Sequence, residues 1–135
     1  MSVVGTTVLL TKDNGEQAIE ECVDKITCVW NGMGWVYVVP YKTPYTNEMY
    51  EVTLSTGDSI ICTPYHVWVL ENKVRKKAEK LAVGDVLHSW TLPSGQEQSG
   101  VEVTSIEQAD EQEYVYNFID CLNHTAFFNN IVTAN

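Results

Sequence analysis

The sequence is short of positive charge. Eight Lys and Arg residues stand against 18 Asp and Glu, for a net charge of −10. Binding to phosphate needs clustered cations, so nucleic acid is excluded as the main partner. The one basic cluster, Lys73–Lys80 (KVRKKAEK), carries Glu79 inside it and reads as a solvated loop or helical turn. Long apolar runs are also missing, and with them any membrane-spanning helix. The opening MSVVGTTVLL lacks the basic stretch that begins a secretion signal. A cytoplasmic location is the expectation. The four cysteines, Cys22, Cys28, Cys62 and Cys121, are then expected as free thiols.

What is there is strand. Hydrophobic residues make up 44% of 135 residues, enough for one domain with a real core, and no linker divides the chain. Residues 3–11 read as a strand ending at a turn around Asn14-Gly15. Residues 18–26 read as a short helical turn. Asn31-Gly32 and Gly34 mark a hairpin whose second arm begins near Val36. Residues 48–70 read as one long hairpin turning at Thr56-Gly57-Asp58, with Tyr50, Val52 and Leu54 on one side. Residues 92–100 are a loop by composition, and 101–110 alternate again. Residues 18–30 and 78–90 share a turn-then-strand layout that suggests a duplication. The expected class is all-β, with long twisted hairpins and few helical turns.

The end of the chain is unusual. Tails are commonly polar and frayed. This one stays apolar through Phe127, Phe128, Ile131 and Val132, and stops at Asn135. Ser2 lies at the other end. Thr63 and His66 share the stretch Thr-Pro-Tyr-His, and His124 precedes the last strand-like run. Each is weak alone, because a His among apolar neighbours is more often a core residue than a catalyst.

Taken together they resemble an intein, a self-splicing domain of the Hint (hedgehog/intein) fold, over the whole chain. SVVGTTV (2–8) is similar to the family's opening, with a nucleophile, then Gly5 and Thr7. GDSIICTPYHVWVL (57–70) is similar to its second block, with Thr63 and His66. KAEKLAVGDVL (77–87) has Leu81, Gly84 and Asp85 in the expected order. VYNFIDCLNHTAFFNNIVTAN (115–135) fits the closing blocks through Tyr116, His124, Phe127, Asn129 and Asn135. The stretch from Leu70 to Val101 is too short for the endonuclease that many inteins carry, so the resemblance is to a mini-intein. It implies a horseshoe with pseudo-two-fold symmetry that brings both ends together. Chain breaks or insertions are expected to be tolerated at Glu71–Lys77 and Pro93–Gly100.

The resemblance also implies roles. The Ser2 hydroxyl would attack the carbonyl before it, turning an amide into an ester. Thr63 would orient that peptide, and His66 would protonate the leaving nitrogen as a general acid. A downstream Cys, Ser or Thr would take over the ester. The Asn135 side chain would then cyclise onto its own carbonyl, helped by His124, and release the downstream flank. The implied partners are the flanking host segments in cis, or a split half in trans. The domain itself is expected as a monomer without cofactor or metal, acting once rather than turning over. Met1 would be an upstream residue or a start-codon remnant, leaving 2–135 as the intein proper. Such a chain would be an excised product or a trimmed form, unable to complete splicing.

Some positions depart from the family pattern. Ala134 stands where a His is common, and Asn117 where an Asp is common, with Asp120 nearby as a substitute. Asn130 replaces a Gly, and whether Ser2 replaces a Cys is left open by the sequence. Trp68 fits a variant that uses an internal thiol, for which Cys121 is the nearest candidate. The preferred reading makes Trp68 and Cys121 core residues. Other functions stay open. A hedgehog-type autoprocessing domain would use only the first acyl shift. Cys62/His66 and Cys121/His124 could hold zinc in a binding module. A plain β-rich interaction module would leave its flanks unprocessed.

Overall fold

The computed structural model describes residues 2–135. Along the chain the strands are β1 (Val8–Thr11), β2 (Gly15–Ala18), β3 (Thr27–Trp30), β4 (Trp35–Val38) and β5 (Tyr41–Pro44). They continue as β6 (Met49–Leu54), β7 (Ser59–Cys62), β8 (Val67–Val69), β9 (Arg75–Lys77) and β10 (Trp90–Thr91). The last five are β11 (Glu97–Gln98), β12 (Val103–Ala109), β13 (Tyr114–Asn117), β14 (Thr125–Phe128) and β15 (Ile131–Ala134). The helical content among the described residues is three short 3₁₀ turns, Ile19–Cys22, Glu71–Lys73 and Ala78–Lys80. The all-β expectation holds, and among the described residues no helix is long and apolar enough to cross a membrane.

Turn chemistry sets the hairpins. Gly15 at φ +66° closes β1 onto β2, and Gly57 at φ +90° closes β6 onto β7. Asn31 folds its own turn, its Oδ1 accepting the N–H groups of Met33 and Gly34 at 2.9 Å. The largest sheet runs β15-β14-β1-β3-β4, with β2 also on β1. The chain's last strand thus lies two places from its first. The pairs β12-β6-β7 and β13-β5 carry the other arm.

The joint is Val3. This buried residue bridges Cys62 on one side and Tyr116 on the other. Around it the two halves repeat each other. Ile19 and Glu20 donate to the carbonyls of Thr7 and Gly5, and Ala78 and Glu79 donate to those of His66 and Pro64. The pseudo-two-fold relation is therefore real, one residue off the 18-to-78 alignment seen in the sequence, since Ile19 pairs with Ala78. Gly5 is fixed by contact: a Cβ there would strike the Glu20 carboxylate and lie 2.8 Å from the Tyr116 ring. A core of Leu9, Ile19, Ile60, Trp68, Phe118 and Phe128 fills the space between the arms.

Three expectations need correction. Residues 48–70 are not one hairpin. β7 ends at Cys62, the chain turns through Thr63–His66, and β8 starts a separate ladder with β9. The basic segment is not a loop or helical turn throughout, because Arg75–Lys77 is that partner strand, backbone-paired, with Arg75 and Lys77 exposed and Lys76 half-buried. A break within Arg75–Lys77 would interrupt this ladder, whereas residues 71–74 lie in the turn that joins its two strands. Residues 92–100 are likewise not all loop. They include β11, paired with β10, and the exposed hairpin tip at 93–96 is where an insertion costs least.

Candidate active site

Ser2 is held from both sides of its backbone. Its N–H donates to Thr63 Oγ1 at 3.1 Å, and its carbonyl accepts the Thr63 N–H at 2.9 Å. His66 follows one turn later, its N–H donating to the Thr63 carbonyl at 3.1 Å. Ser2, Thr63 and His66 are all buried, His66 completely. Burial pushes the His66 imidazole down to about 3, so it is neutral over the physiological range. Its ring lies among Trp68 and Phe128, with centroids 6.3 and 6.1 Å away. Nε2 meets Thr133 Oγ1 at 2.8 Å, and Nδ1 is buried without a partner.

The other end reaches the same place along β15. Ala134 is fully buried, and the Thr133 hydroxyl donates to its carbonyl at 3.1 Å. Asn135 is half-buried. Its Nδ2 donates to the Phe118 carbonyl at 2.7 Å, and its backbone N–H to the His124 carbonyl at 3.2 Å. One bonded path therefore runs Ser2–Thr63–His66–Thr133–Ala134 and stops beside Asn135.

His124 is placed differently. It is exposed and left-handed, at φ 54°. Its N–H donates to the Asp120 carbonyl at 3.1 Å, closing a turn that ends the 118–124 loop. Asp120 and Asn31 hold that loop. Asn31 Nδ2 donates to Asp120 Oδ2 at 2.9 Å, and the Leu122 N–H to Asp120 Oδ1 at 2.9 Å. The Asn31 carbonyl accepts the Thr125 hydroxyl at 2.7 Å. Both Asp120 oxygens are thus engaged in building the loop.

No family model matches the sequence. Over 70 residues, 52% of its length, the chain is 37% identical to the ribonucleoside-diphosphate reductase large subunit of Invertebrate iridescent virus 6. It spans only 7% of that protein's length. Solved structures match nearly end to end. A DnaB intein from Synechocystis sp. PCC 6803 superposes with a TM-score of 0.84 at 15% identity, covering 98% of this chain and 96% of that one. A bacterial intein-like domain from Clostridium thermocellum is 25% identical, with a TM-score of 0.76, covering 99% of this chain and 98% of that one.

The fold is the Hint fold of inteins.

Within this Hint fold the remaining expectations sort by burial. Trp68 is core, its indole N–H buried without a hydrogen-bond partner, and burial pushes the Cys62 thiol up to about 12. Such a thiol is inert as a nucleophile. Cys121 is exposed, which corrects its reading as a core residue. Among the described residues no three His, Cys, Asp or Glu side chains converge as a metal site, and buried Cys62 is not joined by exposed Cys121. Asn129 is a strut: its Oδ1 accepts the Val8 N–H at 2.6 Å and its Nδ2 donates to the Ser59 carbonyl at 2.8 Å. Thr133 was missed from sequence. The available signal was a hydroxyl at an inward position of an otherwise apolar strand, Ile131–Ala134.

Proposed function

We propose that this chain is an autocatalytic protein-splicing domain, with 1–135 as one unit and 2–135 as the spliced-out element. The observation that carries the reading is the single buried path from Ser2 through His66 to Ala134, beside Asn135. It brings Ser2 and the strand that leads to Asn135 to one imidazole from opposite ends of the sequence, which supports the reading. A binding module has no need to bury its two ends together at such a group. Well-oriented intramolecular attack reaches effective molarities of roughly 10⁵–10⁸ M, enough to make a stable amide react.

In this reading Ser2 Oγ attacks the carbonyl of the upstream residue. Thr63 accepts the Ser2 N–H and fixes the plane of that peptide, and the proton reaches the leaving nitrogen through His66. The first downstream residue then attacks the ester. The Phe118 carbonyl aims the Asn135 amide, which closes onto its own carbonyl and frees the downstream flank. His124 polarises that carbonyl. Hedgehog-type chemistry would have no use for the aimed amide of Asn135. A short element resembling a small part of a long reductase is also what an inserted sequence produces. The partners are the flanking segments in cis, or a complementary half in trans. The working form is a monomer in the cytoplasm, with neither nucleic acid nor membrane bound.

The test is splicing itself. The chain is placed between two unrelated folded proteins, with Ser or Cys after Asn135, and products are followed by intact mass. Ligated flanks, absent when Asn135 is Ala, are expected. Continued silence after Cys is placed at position 2 and His at 134 would sink the reading.

A further inference from the structure

Thr133 Oγ1 makes two contacts, and a hydroxyl has one proton to give. Its hydrogen bond to the Ala134 carbonyl uses that proton, so the 2.8 Å contact with His66 Nε2 requires the imidazole to donate. The opposite arrangement is costly. It would move the ring's only proton to Nδ1, where it would be buried with no acceptor, and an orphaned buried donor is rarer than an orphaned acceptor. Burial in turn keeps the ring neutral, so one nitrogen must carry a lone pair.

From this geometry we infer that Thr133 is a positioning residue: it locks His66 as the Nε2–H tautomer and so keeps the ring's lone pair on Nδ1. The inference rests on the splicing reading and names the ring atom through which His66 acts in it. As Ser2 Oγ bonds to the upstream carbonyl carbon and the C–N bond breaks, the hydroxyl proton passes to the Ser2 nitrogen by way of the Nδ1 lone pair, giving an ester and a free amine. Because the Thr133 hydroxyl also binds the carbonyl of Ala134, the state of the first junction depends on the strand that delivers Asn135.

Two measurements test this. In a long-range proton–nitrogen correlation spectrum of the chain at neutral pH, the His66 ring is expected to be protonated at Nε2 alone. Thr133→Val, which removes the hydroxyl and keeps the shape, should lose that single-tautomer pattern, and Thr133→Ser should restore it. In a precursor with both flanks, hydroxylamine captures the ester and releases the upstream flank. Thr133→Val should slow release by roughly tenfold or more, within the range that positioned acid–base groups contribute, and Thr133→Ser should recover it. A parent ring protonated at Nδ1, or a folded Thr133→Val with parental tautomer and release rate, would overturn the inference. A parent precursor that releases nothing removes the acyl shift and the Nδ1 route with it. The spectrum then decides the tautomer lock independently.

Discussion

The two ends of the chain meet at one site but are built by different means. At the first end, Ser2 and Thr63 exchange backbone and side-chain hydrogen bonds, Val3 is bridged on both sides, and His66 has no exposed surface. At the other, His124 is exposed, Asn135 is half-buried, and the 118–124 loop hangs on the Asn31–Asp120 pair and a left-handed turn. The first end is made by the same ladder that makes the fold. The second depends on a few side-chain bonds. Loss of the first should therefore come with unfolding or with loss of the imidazole, whereas the second can be weakened alone.

The largest expected effect is at Asn135. Asn135→Ala should abolish release of the downstream flank and leave ester formation at Ser2 intact, as intact mass with and without hydroxylamine will show. Next is His66→Gln, which keeps a neutral amide in place of the ring. It should slow upstream release by roughly 10²–10⁴-fold, the usual worth of a positioned acid–base group. Gly5→Ala should strike Glu20 and Tyr116 and cost about 1–3 kcal/mol in denaturant unfolding, as overpacking does, damaging both ends together. Asn31→Ala should also cost about 1–3 kcal/mol, by stranding the buried Asp120 carboxylate, but should slow downstream release more than ester formation. Equal slowing of both steps would break the comparison.

The last effect concerns pH. The folded His66 pKa, about 3, lies below its ordinary 6.5, so the unfolded chain takes up that proton first. The stability from burying the neutral ring is complete above about 6.5. It falls as pH drops toward 3 and is lost below it. Thermal unfolding of the parent between pH 7 and pH 3 should therefore fall more steeply than that of His66→Gln, carboxylate titration being common to both.

Much of this was legible in the sequence where local chemistry decides the outcome. Asn14-Gly15, Asn31–Gly34 and Thr56–Asp58 each dictate a tight turn, and the hairpins formed there. The apolar tail pointed to a buried chain end, and Phe127 and Phe128 of β14 and Ile131 of β15 are buried there. Other features depend on distant partners and left no local trace. β5 is exposed at all four residues and exists because β13 pairs with it. β9 reads Arg-Lys-Lys and is a strand through its backbone ladder to β8, with Lys76 reaching Asp85 at 3.3 Å. The break at Thr63 was hidden inside an apolar alternation that continues past it into another sheet. Ser2, Thr63, His66 and Asn135 were read by resemblance, and the fold joins them. Thr133 and Asn31 carry no chemistry by type and became visible only through their partners.

The most direct test of the account is hydroxylamine capture in a precursor carrying Asn135→Ala, alone and with His66→Gln added. The account predicts that the upstream flank leaves as its hydroxamate from the first, and that release from the second is slower by at least roughly a hundredfold. Equal release from both folded precursors, or none from the first even with Cys at position 2, would contradict a Ser2 junction driven by His66 and independent of the far end.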